Sequence, residues 1–148
     1  MVLKTSKIET QCSWGSLVYI FKKRKGKLVN PLLFIKPENI RILIVGGGFV
    51  ALEKLTFLFK SSPQAIVTLV SPMLRDETMA FIADKEVTII NEKYASVFLK
   101  GHQLVIATTD DKEENVKVSK DAQKEGILEN IADTPHLCDF KLGSIVTK

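Results

Sequence analysis

Gly46, Gly48 and Ala51 stand at the spacing G-x-G-x-x-G/A, and the residues on either side give that spacing a context. Before them, Arg41-Ile-Leu-Ile-Val45 is apolar enough for a strand; after them, Val50, Leu55, Leu58 and Phe59 recur at helical intervals. In a strand–turn–helix unit of this kind Gly46 permits the tight turn, Gly48 lets backbone approach a pyrophosphate, and Ala51 lets the helix pack closely on the strand. The diphosphate then lies at the helix N-terminus, where unpaired N–H groups and the helix dipole favour an anion without a cationic side chain. A plainer role is open to the same residues: a glycine turn that merely links strand to helix.

Other residues able to do chemistry also fall directly after apolar runs. They are Ser71-Pro72-Met73, Thr108-Thr109-Asp110-Asp111 and Asp133-Thr134-Pro135-His136. Thr109 and Asp110 can contact a ligand, or the Thr109–Asp111 stretch can cap the following helix by accepting its orphan N–H groups. Asp133 reads two ways as well: a turn residue bonding its own backbone ahead of Thr134-Pro135, or a carboxylate that accepts a proton beside a reacting centre. The end of the second strand, where an acid often grips an adenosine ribose, holds Val70, Ser71 and Pro72, with Arg75 a little further on. Cofactor choice between NAD and NADP is therefore weakly specified. His136 and Cys138 make an incomplete metal set, and no metal site is expected. Asp139 reads as structural, His102 as an exposed loop residue, and Trp14 carries no role.

The elements that must position these residues alternate. Strands are expected at 41–45, 66–70, 87–91, 103–108 and 127–132, with crossover helices at 49–60 and 112–124, the latter stopped by Gly126. This is an α/β, Rossmann-like, doubly wound parallel sheet. Right-handed crossovers bring all strand C-termini to one edge, where ligands of such sheets bind. The chain has 148 residues, 45% of them apolar, which is one domain's worth. No apolar stretch approaches the ~20 residues of a membrane span, so a soluble cytoplasmic protein is expected. Cys12 and Cys138 are expected as reduced thiols. The net charge of +4 is concentrated in an N-terminal arm, because residues 1–30 hold seven Lys/Arg against one acid and the remainder fourteen against sixteen. Residues 1–29 are left as a solvated basic arm without a function, and residues 30–148 as the nucleotide-binding domain; neither nucleic acid nor membrane is expected as a partner.

Taken together, Asn30-Pro-Leu-Leu-Phe34, the 42–51 glycine segment with Lys54, Ala107-Thr-Thr-Asp-Asp111 with Asn115, the 130–140 segment Asn-Ile-Ala-Asp-Thr-Pro-His-Leu-Cys-Asp-Phe, and Ser144-Ile-Val146 resemble the siroheme synthase, precorrin-2 dehydrogenase family. The resemblance implies NAD-dependent oxidation of precorrin-2 to sirohydrochlorin on the route to sirohaem, with ferrous iron inserted by some relatives. It places Phe49 and Val50 at one cofactor contact, Pro72 and Met73 at a second, and matches Asp133 to the family's active-site aspartate. A substrate with several carboxylates calls for cations, for which Lys54 and Lys141 are candidates. Three departures stand out. Residues precede Asn30, Glu129 occupies a strand position that is usually aliphatic, and the chain ends at Lys148, ahead of the helical segment through which the family forms a homodimer. The competing expectation is a truncated, non-catalytic module that holds NAD.

Overall fold

Four consecutive apolar residues, Ile42, Leu43, Ile44 and Val45, are all buried, which a strand achieves only when both of its faces are covered. The computed structural model describes residues 18–21 and 32–142. Strands β1 (Val18–Phe21) and β2 (Leu32–Ile35) pair antiparallel, with Val18 opposite Ile35 and Phe21 opposite Leu32. There follow β3 (Arg41–Val45), helix α1 (Phe49–Ser61), β4 (Ile66–Val70), α2 (Asp76–Ile82), β5 (Val87–Ile90), β6 (Leu104–Ala107), α3 (Lys112–Glu125) and β7 (Leu128–Ile131). The last five strands form one parallel sheet in the order β5-β4-β3-β6-β7.

Because side chains alternate across a strand, β3 feeds two cores. Ile42 and Ile44 meet Ala51, Leu55, Leu58 and Phe59 of α1 and Ile82 of α2, while Leu43 and Val45 meet Val118 and Ala122 of α3 with Leu99 and Tyr94. Each fully buried aliphatic side chain contributes roughly 1.5–3 kcal/mol, so the covers on both faces hold the sheet. The chain winds outward from β3 through α1 and α2, returns to the centre, and winds the other way through α3. Strand order therefore reverses between β3 and β6, and their carboxyl ends part to leave a crevice.

The expected α/β, doubly wound parallel sheet is present, and it differs in detail from the sequence reading. A short helix, α2, forms between β4 and β5 where none was expected. The link from β5 to β6 is a single 3-10 turn, Ser96–Leu99. Val18–Phe21, read as part of a solvated arm, is a strand paired with β2; the rest of residues 1–29, with Cys12 and Trp14, lies outside the described residues, as do Asn30 and 144–146. His102, expected to be exposed, is half-buried, and its Nε2 lies 3.1 Å from Thr68 Oγ1. Glu129 points into the protein at 1% exposure, and its Oε1 accepts from Gln123 Nε2 at 3.0 Å. Gly126 does end α3, in the left-handed conformation at φ +67°. No helix among the described residues is long and apolar enough to cross a membrane.

Candidate functional site

The crevice is built around the glycine turn. Gly46 N–H donates to Val70 O at 2.9 Å, which ties the turn to β4. Thr108, at the end of β6, donates to Val45 O from both its backbone N–H and its hydroxyl, each at 2.8 Å. A Cβ on Gly46, which sits at φ +122°, would collide with the Thr108 hydroxyl. Gly47 is confined from the other side, by Met73 O and by Leu74 Cδ2 at 2.6 Å from an added Cβ. Its carbonyl accepts from Arg75 N–H at 3.1 Å and from Thr78 Oγ1 at 3.2 Å.

Gly48 differs: it is the N-cap of α1, makes no side-chain capping bond, and an added Cβ would meet nothing within 4 Å. The first N–H groups of α1 therefore lack both an intrahelical partner and a side-chain cap. At α3 that role is filled internally, because Asp111 Oδ1 accepts from Glu113 N at 2.9 Å and Glu114 N at 3.3 Å. The loop before α3 is further fixed by Thr109, whose hydroxyl donates to Asn115 Oδ1 at 2.6 Å and whose carbonyl accepts from Asn115 Nδ2 at 2.9 Å.

Together these loops enclose a cleft of about 640 Å³, within the ~300–1,000 Å³ of small-molecule sites. A nicotinamide dinucleotide fits it: Gly48 leaves open the approach a side chain would fill, and the uncapped α1 terminus faces the space an anion needs. Gly46, Gly48, Phe49, Val50, Pro72, Met73, Thr109 and Asp110 all line the cleft. Phe49 and Met73 are 59% and 82% exposed, and the Arg75 guanidinium lies over the Phe49 ring, 3.8 Å from its centroid. Asp110 carries no hydrogen bond or ion pair among the described residues.

Asp133 lies on the same sheet edge outside the cleft lining. Ala132 N–H donates to Ala107 O at 2.9 Å, so Asp133 follows beside Thr108 at the end of β7. Its neighbours in the 130–140 motif are consumed by the fold. Asn130 Nδ2 donates to Phe140 O at 2.8 Å, Asp139 Oδ2 accepts from Glu129 N at 3.2 Å, and Cys138 Sγ lies 3.2 Å from both the N and the O of Ile131. Phe140 is fully buried. Burial pushes the Cys138 thiol above its ordinary value, and the sulfur is spent on the backbone of Ile131. Among the described residues the Asp133 carboxylate makes no hydrogen bond or ion pair, not even to its own backbone. Neither Lys54, which pairs with Glu53 at 3.5 Å, nor Lys141 lines the cleft.

Three lining residues had no clear signal in the sequence. Gly47 is a free position of the motif, Arg75 was noted only for its proximity, and Tyr94 stands in an unpatterned loop. The Tyr94 hydroxyl donates to Asp121 Oδ2 at 3.1 Å, and burial with that carboxylate pushes its pKa above the ordinary value of 10.

An NAD(P)-binding family model matches residues 33–144. The siroheme synthase of Psychrobacter cryohalolentis is 38% identical over 116 residues, which are 78% of this chain and 22% of that protein. That of Methylobacillus flagellatus is also 38% identical over 116 residues, 78% of this chain and 24% of the relative. The chain thus spans under a quarter of the length of these two relatives. Among solved structures, SirC, a precorrin-2 dehydrogenase, superposes with a TM-score of 0.58 at 19% identity over 78% of this chain and 52% of that one, a likeness of fold. Glycine turn, strand order and sequence motifs thus converge, and the chain belongs to the NAD(P)-binding family represented in the N-terminal domain of siroheme synthases.

Proposed function

We propose that this chain binds NAD across the carboxyl edge of its sheet and oxidises precorrin-2 to sirohydrochlorin, with Asp133 as the catalytic carboxylate. The observation that carries the reading is the division of labour along two motifs. Thr108, Asp111, Asn115, Asn130, Cys138, Asp139 and Phe140 are engaged in holding loops in place. Among the described residues, Asp110 and Asp133 alone of the acids in these motifs make no hydrogen bond or ion pair, and both lie on the ligand edge.

In a sheet of this order one nucleotide lies over the β3–β5 half and the other over the β6–β7 half. Two strand spacings of ~4.8 Å separate β7 from β3, which puts Asp133 toward the second half. The α1 N–H groups hold the diphosphate, and Thr109 and Asp110 flank the passage between the halves. Bound there, the dinucleotide supplies a hydride acceptor. The substrate gives up a hydride from one C–H bond and a proton from a second position, and the Asp133 carboxylate accepts that proton as the new double bond of the product forms. With ferrous iron as a further substrate, the same carboxylate receives protons displaced from pyrrole nitrogens.

The test is anaerobic incubation of the chain with precorrin-2 and NAD, following NADH absorbance beside Asp133→Asn. NADH formed by the wild type and lost in the variant is the expected result. Dinucleotide binding with no turnover, even at high protein concentration, would mark a binding module instead.

A further inference from the structure

The cleft is electrically divided. Its positive side is the uncapped N-terminus of α1 together with Arg75, the single cation of the lining, which is paired with Glu77 at 3.5 Å. All of the lining carboxylates, Asp110, Asp111 and Glu114, come from the β6–α3 side. Two of the three serve the fold. Asp111 caps α3, and Glu114 stands in its first turn, where a carboxylate meets the positive end of the helix dipole. Asp110 makes no hydrogen bond or ion pair among the described residues.

The backbone that carries Asp110 is fixed on both sides. Thr108 is bonded twice to Val45 O, Thr109 is clasped by Asn115, and Asp111 is held by the two N–H groups it caps. A carboxylate presented this firmly to a cleft for a diphosphate opposes the anion unless the ligand also brings it hydrogen-bond donors. The vicinal hydroxyls of a ribose are such donors, and one carboxylate can accept from both.

Strand order decides which ribose it meets. The adenosine half lies over β3–β5, where the loop after β4 contributes Ser71, Pro72, Met73 and Leu74 to the lining and no acid. Asp110 lies past the reversal, after β6, whose Ala107 stands opposite Ile131 of β7. Asp110 and Asp133 thus follow neighbouring strand ends, one spacing of ~4.8 Å apart. We infer that the Asp110 carboxylate grips the hydroxyls of the nicotinamide-side ribose, and so both selects a dinucleotide over a mononucleotide and turns the nicotinamide toward Asp133. The inference deepens the dinucleotide reading above and rests on it.

The experiment is equilibrium binding of ADP, ADP-ribose and NAD to the full chain at fixed ionic strength, for the wild type, Asp110→Asn and Asp110→Ala. ADP carries the adenosine and the diphosphate, and ADP-ribose adds only the second ribose. The wild type is expected to bind ADP-ribose about tenfold or more tighter than ADP. Asp110→Ala should remove that advantage, weakening ADP-ribose and NAD alike and leaving ADP within about twofold, whereas Asp110→Asn, which keeps one acceptor oxygen, should retain part of it. A wild-type ratio near one, an advantage that survives in Asp110→Ala, or ADP weakened as much as ADP-ribose overturns the role of Asp110 while leaving dinucleotide binding intact. Failure of the wild type to bind any of the three overturns both readings together.

Discussion

At Gly47 an added Cβ runs into the carbonyl oxygen of Met73, whereas at Gly48 it meets nothing within 4 Å. The two glycines therefore answer to different demands, one internal and one external. Gly47→Ala is expected to lower unfolding free energy by about 1–3 kcal/mol, the cost of forcing an extra methyl into packed surroundings. Gly48→Ala should change stability by no more than about 1 kcal/mol yet weaken dinucleotide binding about tenfold or more. Denaturant titration and equilibrium binding on both variants check the contrast. The G-x-G-x-x-A spacing marks Gly46 and Gly48 but is silent on Gly47, because that constraint comes from Met73 and Leu74, on a loop distant in sequence. Asp133 was visible as a candidate beside an equally good turn reading; the sequence could not show that its carboxylate bonds none of the described residues.

Among the elements, α3 and the segment after β7 do the most to shape the ligand edge. Asp111 caps α3, so Asp111→Ala is expected to cost about 1 kcal/mol, read as a shift in the denaturation midpoint, and to loosen the loop that presents Thr109 and Asp110. Phe140 anchors the returning segment, and Phe140→Ala should cost about 3–5 kcal/mol. The long elements were legible because they announce themselves twice, by apolar periodicity and by end signals such as the glycines around α1 and Gly126 after α3. Those missed are short. In α2 only Thr78 and Ile82 are buried, and in the Ser96–Leu99 turn only Leu99, too few positions to set a period. Strand β1 is apolar in sequence, but its pairing with β2 bridges residues whose composition carries no compact turn signature.

For the whole molecule, the position of the strands followed from their apolar runs and the gathering of their carboxyl ends at one edge from the handedness of crossovers; the strand order and the placement of charge inside the sheet did not. Burial pushes the Glu129 carboxyl above its ordinary value of 4.5, with Asp139 adding to the rise and hydrogen bonds from Gln123 and Ser119 opposing it. The folded state then keeps a proton that the unfolded chain releases as pH climbs past 4.5, so Glu129 withdraws stability toward higher pH. His102 acts oppositely. Its pKa is lowered below 6.5 chiefly by burial, so it withdraws stability as pH falls through that value. Glu129→Gln should accordingly be more stable than the wild type at about pH 8, by roughly 1–3 kcal/mol, the cost of a buried unpaired acceptor such as Glu129 Oε2. The advantage should disappear by about pH 4, in paired denaturation curves that cancel the His102 contribution. In the proposed function the glycine turn holds the dinucleotide and Asp133 takes the proton. The most direct test is steady-state oxidation of precorrin-2 by Gly48→Ala and Asp133→Ala in parallel under anaerobic conditions. The account predicts a raised KM for the dinucleotide in Gly48→Ala and a kcat reduced about 10²-fold or more, with little change in dinucleotide KM, in Asp133→Ala. Full kcat in Asp133→Ala, or an unchanged dinucleotide KM in Gly48→Ala, would contradict it.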